Sequence, residues 1–244
     1  MDNQTDSAVT AGAVLEGAIA PGEFVRSTTL LLGEHGFTPG NSIAGVAVCR
    51  DEIAGPLVGD VEAIWGSSFS LAGLAGLTTA GRTGFTAAAH HSPIVDGRRH
   101  MVIYGLAHIG IARDGTIGQV TRPGVPEPST ACGALVAFHG ELVDGTASPA
   151  FDPDNVEQSL LAQRLLPLID ETNPPSLLDL TRLAAGAIEE DLLGALERLI
   201  DNEPEPLNAA LITGIQVHGP DGIELVWPRS AHTVAADGAE ALDL

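Results

Sequence analysis

The run Ile43-Ala44-Gly45-Val46-Ala47-Val48-Cys49 constrains the fold most. It is uninterrupted and apolar. Turn chemistry in Gly36-Phe37-Thr38-Pro39-Gly40-Asn41 precedes it, and Arg50-Asp51-Glu52 follows it at once. A short apolar run bounded in this way reads as a buried strand. Such a strand commits the chain to a sheet covered by other elements. Its last side chain, Cys49, is a soft metal ligand with a charge pair beside it.

The remaining pattern supplies the cover. A second apolar run over 101–107 ends in His108, and 109–111 extends it. Runs over 207–218 and 223–227 flank Gly219-Pro220-Asp221-Gly222, a hairpin turn. Asp114-Gly115 is a second hairpin signal. Helices are expected over 24–33, over 51–64 with acids in the first turn, and over 85–91, stopped by Pro93. Further helices are expected over 132–142, capped by Ser129 or Thr130, and over 155–169 and 176–200, where Leu and Ile recur at helical spacing. A frayed helix is expected over 9–19. Strands alternating with helices predict a single α/β domain with a largely parallel central sheet flanked by helices. Its expected span is 23–229, between an acidic, partly disordered segment over 1–22 and an acidic, flexible tail over 230–244. A chain of 244 residues, 44% hydrophobic but only 4% aromatic, fills such a core with aliphatic side chains.

Charge limits the partners. The net charge is -21, and all 11 basic residues are Arg. Nucleic acid and anionic membranes both need a basic face, so neither is an expected partner. An acidic surface serves solubility, and a Lys-free acidic chain also fits a salt-rich cytoplasm. The first residues lack the basic start and apolar run of a secretory signal. No apolar stretch approaches the roughly 20 residues that span a bilayer. The expected location is the cytoplasm, where Cys49 and Cys132 stay reduced.

Ligands gather outside the carboxyl ends of strands in open α/β sheets. Cys49 and His108 end the two strong strands, and Cys132 begins a helix after a loop leading back from the second. Two thiolates and an imidazole are the donor set of an open, catalytic zinc site whose fourth position is left for water. The helix start favours the Cys132 thiolate. Asp51 is placed to accept a hydrogen bond from the oxygen in the fourth position or to fill it. Arg50 is its expected partner, with Arg82 as the alternative. Other readings stand beside these. Free cysteines also pack as small hydrophobes, and His108 reads equally as a core histidine. His90-His91 offers an alternative ligand. His35, His100, His139, His218 and His232 read as surface or loop residues, and Glu52 as a helix-start acid.

Several motifs in order then resemble one family: Gly36-Phe37-Thr38-Pro39-Gly40-Asn41; Cys49-Arg50-Asp51-Glu52; Gly84-Phe85 with His90-His91-Ser92-Pro93; His108-Ile109-Gly110-Ile111; Arg122-Pro123-Gly124; and Ala131-Cys132-Gly133-Ala134-Leu135. Together, over about 24–228, they resemble the low-CO2-inducible LCIB family, also called theta-class carbonic anhydrases. The resemblance implies a β-carbonic-anhydrase-like fold, a homodimer, and zinc held by Cys49, His108 and Cys132. It implies Asp51 with Arg50 as the acid-base dyad, and reversible hydration of CO2 to bicarbonate. Against the β-class pattern Cys-x-Asp-Ser-Arg, Glu52 and Ile53 follow Asp51 here. The β-class histidine stands three residues before the second cysteine, where this chain has Ser129, so His108 acts from across a longer insertion. Phe37, Phe85 and Ile109 are the expected lining of an apolar CO2 pocket. The alternative function is a non-catalytic zinc- or bicarbonate-binding protein of inorganic-carbon metabolism.

Overall fold

A computed structural model describes residues 16–122 and 124–244. The chain begins with α1 (Pro21–Glu34), β1 (Ile43–Ala47), α2 (Gly55–Trp65), β2 (Ser68–Ser70) and α3 (Gly81–His90). Two strands follow, β3 (Ile94–Val95) and the long β4 (Arg98–Gly110), and then a small hairpin of β5 (Gln119–Val120) and β6 (Ser129–Thr130). Three helices come next, α4 (Gly133–Val143), α5 (Val156–Leu165) and α6 (Leu177–Asn202). The chain closes on β7 (Leu207–His218), β8 (Glu224–Ala235) and β9 (Gly238–Leu242).

The main sheet has the order β2-β1-β4-β7-β8-β9, with β3 paired to β4. Strands β2, β1, β4 and β7 run parallel, and β8 and β9 add antiparallel. This is the expected α/β domain with a mostly parallel sheet between helices. Alternation along β4 assigns its faces. Val102, Tyr104 and Leu106 pack with Phe24 and Val25 of α1 and with Leu57, Val61 and Trp65 of α2. Met101, Ile103, Ala107 and Ile109 pack with α3 through α6, where Ile188, Leu192 and Leu196 of α6 lie closest to the sheet centre. The approach of α6 is tight: a Cβ on Gly105 would stand 2.3 Å from Leu192 Cδ1. Helix α6 starts where the sequence predicts, because Ser176 Oγ accepts the Asp179 N–H at 3.2 Å.

Three expectations need correction. The stretch 230–244 is no loose tail: it completes β8 and forms β9, with Ala231 and Val234 buried. Asp237-Gly238 at the β8–β9 connection is the hairpin signal that marks it. Ser129 and Thr130 do not cap α4; they form β6, and Cys132 itself takes the N-cap position without a side-chain cap. The helix expected over 9–19 lies outside the described residues as far as 15. Within them, a turn leads to Ile19, which bridges Val226.

Candidate metal centre

Cys49 lies two residues past the end of β1, and His108 lies two residues before the end of the longer β4. The stretch after β4 brings in the third residue. Ile111 bridges Ile117 across the predicted Asp114-Gly115 turn, and the chain then doubles back over the strand end. Gly118 N–H donates to Gly110 O at 2.8 Å, Ala131 N–H to Gly118 O at 3.0 Å, and Gly110 N–H to Ala131 O at 2.7 Å. Cys132 is therefore tied beside His108 although 23 residues separate them in the chain. A Cβ on Gly110 would stand 2.6 Å from Gln119 O, so only glycine permits this closure.

Among the described residues, one group of three potential ligands converges: Cys49, His108 and Cys132, all buried, with donor atoms within 4.8 Å of one another. The two Sγ atoms are 3.8 Å apart. His108 Nε2 is buried and makes no hydrogen bond with the described residues. An unsatisfied buried nitrogen costs free energy unless something binds it, and a metal at this donor set would do so. These three residues could hold a metal ion. The Cys132 hydrogen bond lowers the Cys49 thiol to about 4, helped by His108 and by the Asp51 backbone N–H, against the opposing effect of burial. Cys132 moves the other way, raised by its hydrogen bond to Cys49 and by burial. The two shifts have one cause: a thiolate on one sulfur, accepting the hydrogen bond, holds the proton on the other.

His90 and His91 are elsewhere. His90 Nε2 pairs with Glu203 at 3.1 Å, and the exposed His91 ring stands edge-on to Phe69. The arginine expectation also changes. Arg50 turns outward to Glu157 at 2.9 Å, and Arg82 lines a separate groove against α6. Asp51 is held instead by Arg122, whose Nη2 donates to both carboxylate oxygens at 2.7 and 2.8 Å. The same guanidinium reaches Glu52 Oε1 at 2.6 Å, Thr130 O at 3.0 Å and Ser129 Oγ. Burial raises the Asp51 carboxyl, but the hydrogen bonds and charge of Arg122, together with Glu52 and His108, outweigh it and the net shift is downward. Arg122 escaped notice as a partner because it sits 71 residues from Asp51 in a proline-rich loop.

His218 was also missed. It is fully buried, its Nε2 lies 3.0 Å from His108 Nδ1, and its Nδ1 lies 2.8 Å from Glu224 Oε2. Burial lowers its pKa against the pull of Glu224. The legible signal was position: His218 and Glu224 flank the predicted Gly219–Gly222 turn and face each other across it.

A cleft of about 350 Å³ opens beside Cys49 and Asp51, walled by Val46, Val48, Val58 and Ser70. None of the expected lining residues reaches it. Phe37 packs on His100 at the amino end of the strands, Phe85 lines the groove against α6, and Ile109 is core. No helix of the described residues is long and apolar enough to cross a membrane.

The comparisons agree with this architecture. The fold superposes on the crystal structure of PtLCIB4, a homolog of the limiting CO2-inducible protein LCIB, with a TM-score of 0.84, 23% identity, and coverage of 97% of this chain and 98% of that one. It superposes on the crystal structure of the limiting CO2-inducible protein LCIB with a TM-score of 0.75, 28% identity, and coverage of 95% and 96%. A comparison with curated proteins finds no match. Residues 18–235, nearly the whole described chain, match one family, and the protein belongs to it: the limiting CO2-inducible proteins B/C beta carbonic anhydrases.

Proposed function

We propose that the protein is a zinc carbonic anhydrase that hydrates CO2 reversibly to bicarbonate and a proton. The convergence of Cys49, His108 and Cys132 carries this reading. Two sulfurs sharing a tetrahedral zinc at bonds of about 2.3 Å stand about 3.8 Å apart, and the Sγ separation here is 3.8 Å. Bound zinc supplies a Lewis acid that lowers the pKa of a water toward about 7.

The chain's own residues do the rest. Cys49 Sγ, Cys132 Sγ and His108 Nε2 would hold the ion. The cleft beside Cys49 and Asp51 offers CO2 an approach along Val46, Val48 and Val58. Asp51, ionised and pinned by Arg122, can only accept hydrogen bonds. It would accept a hydrogen bond from the reacting oxygen and so orient it toward CO2. Arg122 takes the role that the resemblance implied for Arg50. We also propose that the protein works as a homodimer.

The test is metal content with stopped-flow CO2 hydration on wild type, Cys49→Ala and Cys132→Ala. Wild type should carry one zinc per chain and hydrate CO2, and each variant should lose both. Full hydration by either variant would sink the assignment. Zinc without hydration at any pH would favour the non-catalytic reading.

A further inference from the structure

His108 is the one ligand of the three whose donor atom depends on where a proton sits. A neutral imidazole carries its proton on one nitrogen and a lone pair on the other. Only the lone pair binds a metal. Nε2 is the nitrogen without a hydrogen-bond partner among the described residues, so a metal-binding His108 keeps its proton on Nδ1. Nδ1 faces His218 Nε2 at 3.0 Å. His218 is ambiguous in the same way, but its Nδ1 faces both oxygens of Glu224, at 2.9 and 2.8 Å.

A carboxylate can only accept, which removes the ambiguity at this end of the chain of hydrogen bonds. His218 Nδ1–H donates to Glu224, His218 Nε2 is left as an acceptor, and His108 Nδ1–H donates to it. We infer that Glu224, acting through His218, is a positioning residue that fixes the proton of His108 on Nδ1 and so presents Nε2 to the metal as a bare lone pair. This inference rests on the metal centre proposed above.

The sheet enforces the line. His108 pairs in register with Gln216, two residues before His218 on the same face of β7, and His218 stands directly across from Glu224 on β8. The His108 and His218 ring planes stand at 81° with centroids 5.1 Å apart, and the 3.0 Å between Nδ1 and Nε2 is ordinary hydrogen-bond reach. Gln216 Nε2 donates to Glu224 Oε2 at 3.3 Å and helps hold the carboxylate in place. His218 is sealed from solvent, whereas the Glu224 side chain keeps 24% of its exposure. A change at Glu224 can therefore be accommodated at the surface while its effect is read at the metal.

Two readouts test this besides turnover. The first is the tautomer of His108 in metal-free protein, from long-range ¹H–¹⁵N correlations. The second is zinc affinity, from competition with a chelator, with zinc alone as the probe. Wild type should show His108 protonated at Nδ1. Glu224→Leu should show a mixture of tautomers and bind zinc about 10- to 100-fold more weakly, the usual consequence of losing such a partner. His218→Gln, whose amide can donate to Glu224 and whose carbonyl can accept from His108, should keep the Nδ1–H form and bind zinc more tightly than Glu224→Leu. A purely structural role for Glu224 would leave the tautomer as it was. A wild-type tautomer and wild-type zinc affinity in Glu224→Leu would overturn the inference alone. Failure of wild type itself to bind zinc would overturn the metal centre, and this inference with it.

Discussion

Arg122→Leu removes the clamp on Asp51, and its cost can be worked from the structure. The guanidinium makes two hydrogen bonds to Asp51, one to Glu52, one to Thr130 O and one to Ser129 Oγ. Without it, Asp51 keeps only a long contact from the Ile53 N–H at 3.4 Å. Losing one partner of a buried pair costs about 3–5 kcal/mol. The Arg122 and Asp51 side chains retain 16% and 12% exposure, which favours the lower end, about 3 kcal/mol. At roughly 2–4 °C per kcal/mol for a chain of this size, Tm should fall by roughly 6–12 °C. The pH dependence follows from the sign of the shift. The folded-state pKa of Asp51 is depressed, so its stabilisation is fully present above the ordinary aspartate value of about 3.9 and is lost as pH falls through the lower folded value. In the variant, burial without Arg122 pushes Asp51 up instead, so acid relieves the variant first and the Tm gap narrows as pH drops from 7 toward 4. Arg50→Leu is the control. Its bridge to Glu157 leaves Arg50 57% exposed and is worth under about 1 kcal/mol. Circular-dichroism melts of metal-free wild type and both variants at pH 7 and 4 make the comparison. Equal losses for the two arginines, or an Arg122→Leu gap that does not change with pH, would refute the assignment of Arg122 to Asp51.

Two further outcomes are expected. Asp51→Asn should retain zinc, because Asp51 is not one of the three converging ligands. It should slow CO2 hydration by about a hundredfold or more, and wild-type stopped-flow rates would remove Asp51 from the reaction. Tyr104→Phe should cost about 1–3 kcal/mol, because the buried hydroxyl meets Thr28 Oγ1 at 3.1 Å and accepts from Trp65 Nε1 at 3.2 Å. An unchanged urea midpoint would show that these hydrogen bonds carry no stability.

What could be read from the sequence followed from locality. Strands β1, β4 and β7 announced themselves as apolar runs, and α6 by its Leu spacing and Ser176, because each signal lies within the element it describes. The Cys49-His108-Cys132 grouping was also legible, since the end of a strand fixes a side chain's place in a parallel sheet. The misreadings share one cause. Arg50 was paired with Asp51 because it is adjacent, yet successive residues at a strand end point apart, and the adjacent guanidinium goes outward to Glu157. His218 passed for a loop residue because it borders a turn, although burial at a hairpin base depends on what lies across it. The stretch 230–244 looked loose because acids break it into short segments with no long apolar run, yet strand β9 needs only one partner and Val234 of β8 faces the core.

The stretch from Gly110 to Cys132 ties these observations together. In sequence it is a loop with three prolines. In the fold it is a strap, closed through Gly110, Gly118 and Ala131, that carries a ligand at one end and the clamp for the acid in its middle. Arg122 also bonds to Ser129 and Thr130, the residues that lead into Cys132. The clamp on Asp51 and the placement of Cys132 are therefore not independent: a guanidinium that holds the carboxylate also holds the strap that delivers the thiolate. The longer insertion between His108 and Cys132 thereby acquires a physical role. It gives the chain room to set the place of Cys132 and the orientation of Asp51 with one folded segment, where a short connection would leave no place for Arg122.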